Sequence, residues 1–528
     1  MEIKDTCGHN RERWGTRIGL VLAMAGNAVG LGNFLRFPVK AAQNGGGAFM
    51  VPYFLALIFL AIPVMWCECA IGRLGGTKGH GTTPGMFTIL WKHPIAKYIG
   101  FLGIFMSSVI VMYYAYVEAW TLAYSVFSIT GKYSSITSHT GMVGFLKDFQ
   151  GVDSKFGVSG LAYMFFLITF GINIWVISGG ISKGIERLAK IAMPILFVFA
   201  IILVVRVFTL GAPDAALPQN NPMNGLGFIW NADFSQLGNS KIWLEAAGQI
   251  FFTASIAMGT IHCYFSYLRE KDDIAVTGLS SIMTNETVEI ILGGSIAIPI
   301  AFAFLGPNMM VQVANGGAYD LGFAALPFVF GQMPFGSVMG TLWFFLLFLA
   351  GITSSVAMMQ PVISFLKDEL CFSHKKAVGV MAMIFFAFGH IVIFGLKAGA
   401  LDEMDFWGGT LGLPLFALIE VILFVWVFGS KNAWKQVMMG AQRKMPKIFL
   451  YILKYVTPVY LLAILVAWTV QYGISSIMLK GVPAQHLPWR WGTRIALFVF
   501  ALGILFAISK SDRLKAILKN KNNSDNNG

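Results

Sequence analysis

Apolar residues along this chain fall in long runs, without the strict alternation of a half-buried strand or the one-sided stripe of a soluble helix. Twelve runs stand out, at roughly 16–38, 48–71, 96–126, 160–178, 187–209, 241–268, 274–306, 337–370, 375–396, 402–428, 447–475 and 490–510. Each is long enough to cross a hydrocarbon core as a helix, which takes about 20 residues. The pattern predicts an all-α polytopic membrane protein with about 12 transmembrane helices. Longer connections, at roughly 127–159, 210–240 and 307–336, fall after the third, fifth and seventh runs, on the outer side and poor in basic residues, and 520–528 reads as a short disordered end.

Two runs are interrupted at mid-membrane depth. The first carries Ala25–Asn33 (AGNAVGLGN), with three glycines and two asparagines. Each glycine costs a helix about 1 kcal/mol relative to alanine, so this stretch is poised to unwind. The sixth carries Phe251–Thr260 (FFTASIAMGT), polar at its centre. Both open a set of five spans, 16–209 and 241–428. Five is odd, so the two sets enter the membrane from opposite sides, which gives an inverted repeat. Residues 1–15 precede it, 210–240 link the halves on the outer side, 429–510 add two spans, and 511–528 form a tail. Broken helices at matching positions of inverted halves mark a substrate site near the bilayer midplane of a transporter.

Composition narrows the classes further. Of 528 residues, 56% are hydrophobic and only 12% charged, against about a quarter charged in soluble domains, and the mean hydropathy is +0.69. That excludes a disordered chain, a small secreted disulfide scaffold and a soluble enzyme with a single anchor. The net charge of +13 changes the picture only through its placement. Most Lys and Arg cluster before the first run and in every second connection, the positive-inside pattern of cytoplasmic loops and not a nucleic-acid face. Both termini are therefore expected in the cytoplasm of a plasma-membrane protein. The five cysteines, Cys7, Cys67, Cys69, Cys263 and Cys371, imply no disulfide framework, and Cys67 and Cys69 read as packing residues.

Candidate chemistry lies in the interrupted runs. An unwound helix offers carbonyls to a cation and amides to a carboxylate. Neutral oxygens of Asn33, Thr253, Asn285, Thr353 and Ser354 suit a hard ion such as Na+, although Asn, Ser and Thr also serve as glue between membrane helices. Glu68, Glu118, Glu245, Glu286, Glu289 and Glu420 lie in or near spans, where carboxylates mark functional sites or partner backbone and Tyr groups. Enzyme signals are absent: there is no HExxH and no P-loop, and Gly75–Gly81 (GGTKGHG) reads as a flexible cytoplasmic turn.

Six motifs together resemble the neurotransmitter:sodium symporters, and among them the prokaryotic leucine-transporting branch most closely. They are Asn27–Pro38 (NAVGLGNFLRFP), Asn44–Phe49 (NGGGAF), Gln249–Thr253 (QIFFT), Asn285–Glu289 (NETVE), Thr353–Ser355 (TSS) and Asp402–Trp407 (DEMDFW). The likeness runs over nearly the whole chain. The rule linking broken helices to midplane sites was itself drawn partly from this family. The resemblance implies a five-plus-five inverted repeat, Na+-coupled uptake of an amino acid and alternating access.

By that resemblance one Na+ is held by the Ala28 carbonyl with Asn33, Thr253 and Asn285, and the substrate carboxylate completes the shell. A second uses the carbonyls of Gly26, Val29 and Ala350 with the hydroxyls of Thr353 and Ser354. The amino acid lies between the breaks. Its carboxylate meets the amides of Leu31 and Gly32 and the Tyr114 hydroxyl. Its ammonium meets carbonyls around Asn27, Ala28 and Phe252 and the Ser255 hydroxyl. Its side chain meets Ile110, Phe252, Thr253, Met258, Ser354 and Met358. Gly30 stands where amine-transporting relatives carry an aspartate, which favours a substrate with its own carboxylate. Met258 and Met358 replace the Phe and Ile of the leucine transporter. Methionine fills irregular space, so the expected substrate is a neutral apolar amino acid, aliphatic or aromatic.

Glu289 occupies the place of a neutral residue in the chloride-dependent animal relatives, so transport is expected to be chloride-independent. The likeness also implies an outer gate of Arg36 with Asp405, Gln249 beside them, and an inner gate of Arg11 with Asp368, supported by Trp14, Ser266 and Tyr267. The partners expected are Na+, a small amino acid and the lipid bilayer, with no nucleic acid and a homodimer left open. An amino-acid sensor or accessory subunit of the same fold is the alternative, with a channel and a membrane enzyme further behind.

Overall fold

The computed structural model describes residues 12–231 and 233–525. Among the described residues ten helices are long and apolar enough to span a membrane, and the bent pair Arg17–Ala28 and Gly32–Gln43, inclined at 45°, makes an eleventh. The twelfth expected run is the pair Ser240–Thr253 and Thr260–Phe265, parted by residues 254–259. No strand occurs among the described residues. The protein is an all-α, multi-pass membrane fold.

The first break falls in the glycine- and asparagine-rich stretch and the second in the polar centre of the sixth run. Val29 leaves the first helix in an extended conformation. In the sixth run Ser255 (φ 52°), Ala257 (φ 61°) and Gly259 (φ 74°) are left-handed, a region that costs a non-glycine residue about 1 kcal/mol or more. Span three (Ala96–Ile129) and span eight (Gly336–Asp368) pack against each other at the centre. The two final spans lie at the rim, with only 28% and 22% of their apolar stretches buried. Trp175, Val470 and Phe498 expose apolar surface that suits lipid rather than water.

Several expectations need correction. The connection expected at 307–336 is largely helical: Ala297–Asn315 bends at Gly306 and continues beyond it, and Leu326–Gly331 follows. Ala318–Gly331 is apolar but too short to cross a membrane, so a criterion of run length passes over it. The tail is not disordered throughout, since Asp512–Asp525 is helical. Arg513 donates to the Gly79 carbonyl at 3.0 Å, and Leu514 is buried, which docks the start of that helix. Cys371 takes part in a disulfide, where none was expected; Cys67, Cys69 and Cys263 are buried thiols.

Span two (Gly47–Thr77) meets the inner half of the sixth run at van der Waals contact. A Cβ on Gly76 would stand 2.0 Å from the Ser266 carbonyl oxygen. Backbone cannot yield as a side chain can, so Gly76→Ala is expected to cost about 1–3 kcal/mol. Thermal unfolding of the purified protein should register it as a lowered transition, and an unchanged transition would show that the two helices slide freely.

Candidate functional site at the two helix breaks

Unwinding strands backbone groups in a medium that offers no water, and each one unpaired costs several kcal/mol. The two breaks meet this need largely through each other and through spans three and eight. The Leu31 amide donates to the Tyr114 hydroxyl (3.0 Å) and the Gly30 amide to Asn33 Oδ1 (2.8 Å). The Ser255 hydroxyl donates to the Asn27 carbonyl (2.8 Å). Ser354 Oγ lies 3.2, 3.3 and 3.4 Å from the carbonyl oxygens of Gly26, Asn27 and Val29. Thr353 points its hydroxyl to the carbonyls of Leu349 and Ala350. The Asn27 side chain is buried with neither its oxygen nor its nitrogen hydrogen-bonded.

A cavity of about 20 Å³ lies between the breaks, room for a water or two. Ala28, Gly30, Gly32, Asn33, Ile110, Tyr114, Phe252, Thr253, Ser255, Met258, Ser354 and Met358 line it. Ten of the twelve expected substrate residues are therefore brought to one wall. The other two, Leu31 and Asn27, hold Tyr114 and Ser255 through their backbones. No acidic or basic side chain faces the cavity. A Cβ on Gly30 would lie 2.9 Å from both Ser354 Oγ and Tyr114 Oη, so nothing larger than glycine fits there without displacing them.

Beside the cavity stands a polar cluster. Asn33 Nδ2 lies 2.9 Å from each of Thr253 Oγ1, Asn285 Oδ1 and Glu289 Oε2, and the Thr253 hydroxyl donates to Glu289. Glu289 also accepts from Gln249 Nε2 (2.9 Å) and the Tyr53 hydroxyl (2.9 Å), which reaches Glu286 as well at 2.8 Å. The expected ligands Asn33, Thr253 and Asn285 are thus in mutual contact, with one carboxylate against two of them. The second expected set is also convergent: Gly26 approaches so closely that a Cβ there would meet Thr353 Cβ at 3.0 Å. Its oxygens are neutral carbonyls and hydroxyls, the donor chemistry of a monovalent hard cation. Glu286 was expected to mark a site or to partner a Tyr group, and it takes Tyr53, which was not singled out. Tyr53 lies in an apolar run with no periodic or motif signal, and only contact across helices reveals it.

A second cavity, of about 520 Å³, opens above the first and shares Gly32, Tyr114 and Phe252 with it. These two aromatic rings separate the chambers. The outer gate departs from expectation. Arg36 makes no ion pair with Asp405; its guanidinium lies over the Phe252 ring at 4.4 Å, and Asp405 accepts from the Tyr113 hydroxyl at 2.7 Å. Both residues line the larger cavity, whose width keeps them apart. Gln249 is fully buried on Glu289 and is not at the gate.

On the opposite side the path is sealed. The Trp14 indole donates to the Tyr264 carbonyl at 3.0 Å, and the rings meet edge-on at 5.1 Å. Tyr267 bonds Ser364 at 2.7 Å, while Ser266 donates to the Cys263 carbonyl. Asp368 is buried at the end of span eight, and its expected partner Arg11 lies outside the described residues. Glu12 takes Lys367 at 2.8 Å and the Ile181 amide at 2.8 Å. Partial burial raises its carboxyl, but that ammonium and amide together hold it below the usual value.

A cavity between two broken helices, parted by Tyr114 and Phe252 from a wide chamber on one side and sealed on the other, defines a membrane transporter. Residues 11–140 and 133–510 match the sodium:neurotransmitter symporter family. The chain belongs to that family, whose members are sodium-dependent transporters and not enzymes. It is 30% identical over 456 residues to a sodium-dependent transporter of Methanocaldococcus jannaschii, covering 86% of this chain and 89% of that one. It is 25% identical to the sodium-dependent neutral amino acid transporter B(0)AT3 of Rattus norvegicus, over 93% of this chain and 89% of that one. The crystal structure of MhsT in complex with L-phenylalanine is similar at a TM-score of 0.75 and 27% identity, over 87% of this chain and 100% of that one.

Tyr53→Phe keeps the ring and removes one donor from two buried carboxylates. The expected cost is about 1–3 kcal/mol of stability. Thermal unfolding measures it, and a neutral result would mean that Glu286 and Glu289 find other donors.

Proposed function

We propose that this protein imports a neutral, hydrophobic L-amino acid, aliphatic or aromatic, together with Na+, by alternating access and without need of chloride. The observation that carries this reading is the lining of the central cavity. The wall offers polar groups, the Tyr114, Ser255 and Ser354 hydroxyls and the backbone of Gly30 and Gly32, together with the apolar side chains of Ile110, Phe252, Met258 and Met358. A zwitterion with an apolar side chain matches that combination, and a decarboxylated amine would find no acidic partner there. Seating an aromatic side chain requires the two methionines and Phe252 to repack, which unbranched thioether chains do at low cost. The phenylalanine bound to MhsT and the neutral amino acid named for the rat relative support the class.

Two ions accompany the substrate in this reading. One sits with the Ala28 carbonyl, Asn33, Thr253, Asn285 and the substrate carboxylate. The ion needs that carboxylate and the substrate needs the ion, so their affinities are reciprocally linked. The other sits with the carbonyls of Gly26, Val29 and Ala350 and the hydroxyls of Thr353 and Ser354. It ties the first span to span eight, and its release on the cytoplasmic side, where both termini lie, frees the first span to move. Glu289, within 2.9 Å of Asn33, supplies the negative charge that offsets the cations. Residues 16–209 and 241–428 act as the two inverted halves that exchange access.

Uptake of a labelled amino-acid panel into proteoliposomes tests the reading. An imposed Na+ gradient is expected to drive accumulation of an apolar subset, at a rate unchanged when chloride is replaced by gluconate. Preference for Asp, Lys or glycine, or loss of uptake without chloride, would overturn it, and saturable binding without accumulation would assign a sensor. Ser354→Ala is expected to weaken Na+ activation by about tenfold, the equivalent of about 1.4 kcal/mol. Gly30→Ala is expected to reduce amino-acid binding by at least about tenfold, because its methyl group occupies the space against Tyr114 and Ser354.

A further inference from the structure

A second titratable cluster lies below the break in the sixth run, apart from the ion and substrate residues. Glu68 of span two, His262 of the inner helix Thr260–Phe265 and Glu420 of span ten (Ala400–Val427) are each fully buried. His262 Nδ1 stands 3.2 Å from Glu68 Oε2, and Nε2 stands 3.3 Å from Glu420 Oε2. Candidate ligand atoms of all three lie within 4.8 Å of one another. Glu68 reaches upward with its other oxygen to the Ala257 amide at 2.5 Å. Ala257 is one of the left-handed residues of the break, between Ser255 and Met258 of the central cavity.

We propose that Glu68, His262 and Glu420 form a proton-binding site whose occupancy is linked to the amino-acid and Na+ cycle. The link rests on the transport reading above. Without added protons the three groups carry a charge of minus two, in a place where an uncompensated charge is costly. Among the described residues none of the three pairs with a lysine or arginine. Two protons make the cluster neutral. An imidazolium with one carboxylate and one carboxylic acid then has an N–H for each facing oxygen, which a neutral imidazole cannot provide.

The surroundings supply no other charge. Cys67 and Cys69 flank Glu68 on its own helix, and Arg73 further along turns away to the carbonyls of Asp272, Gln436 and Met439. Phe87 and Phe416 cover the imidazole from the cytoplasmic helix Thr83–Leu90 and from span ten. Span eight faces the same inner helix with Gln360 and Ser364, which engage Tyr267 and Cys263. A divalent cation fits less well than protons. The two nitrogens face different carboxylates, and a metal would use only one of them.

Protonation bears on transport through one contact. The Glu68 carboxylate holds the Ala257 amide, and with it the backbone turn that presents Ser255 and Met258. A change in proton count alters the charge on that acceptor and therefore the stability of the turn. By reciprocity, amino-acid binding changes proton occupancy by the same coupling.

The test is equilibrium binding of labelled phenylalanine to the purified full chain in Na+, from about pH 5.5 to 8.5. It compares wild type with His262→Gln and Glu420→Gln, each with and without a chelator or added Zn2+. Wild-type affinity is expected to vary by about fivefold or more across the range, and both variants to bind with a flattened profile. Variants that keep the wild-type profile would overturn the proposal, and a Zn2+ effect lost in His262→Gln would replace the proton with a metal. If wild type binds no amino acid the transport reading fails instead. The cluster is then judged by infrared difference spectra between the pH extremes. A protonated-carboxyl band lost in Glu420→Gln and shifted in His262→Gln supports the proton site, and its absence in wild type overturns it.

Discussion

Everything in this protein depends on one constraint: peptide groups at membrane depth have no water to bond. A continuous helix satisfies them internally, whereas two of these helices stop halfway. The structure answers by placing the breaks against each other and bringing span three and span eight alongside. Tyr114 takes the Leu31 amide, Ser255 and Ser354 cap carbonyls of the first break, and Glu68 takes the Ala257 amide of the second. Tyr114, Ser255 and Ser354, which stabilise the breaks, also line the central cavity, so fold and site cannot be separated.

Charge is arranged with similar economy. The central cavity has no charged lining, while Glu286 and Glu289 sit beside it, satisfied by Tyr53, Gln249 and Asn33. That leaves the cavity wall to neutral groups, with the two carboxylates held one layer behind it. Glu118 follows another pattern, accepting from Asn173 at 3.0 Å, which in turn accepts from Ser355 at 2.6 Å. That chain ties spans three, four and eight together and is structural glue rather than a site.

The two ends of the pathway differ. On one side Arg36 rests on Phe252 and a wide chamber separates it from Asp405; on the other Trp14 is bonded and packed to Tyr264. A single conformation is therefore open at one gate and closed at the other. Phe252 and Tyr114 form the thin partition between chamber and cavity, which makes their rotamers the natural response to an occupied pocket. The Arg36–Asp405 pair that the family likeness implies is not formed here, since it requires this gate to be closed.

Much of this was legible before any coordinates. Span four, expected at 160–178, is found at Gly160–Ser178, because a hydrocarbon core selects long apolar runs whatever their partners. Both breaks were legible too, the first from glycine and asparagine at mid-span, which carry a local helix penalty, and the second from polar residues at the centre of an apolar run. What the one-dimensional pattern could not hold was proximity. His262 is one of eight histidines in the sequence, with no motif around it, and Tyr53 is one apolar-run position among many. Glu68 and Glu420 are separated by most of the chain, and Gln249 sat in a motif that pointed to the gate. Periodicity reports a residue's own helix and its burial. Which buried group touches which depends on how helices from opposite halves cross, and only the tertiary structure decides that.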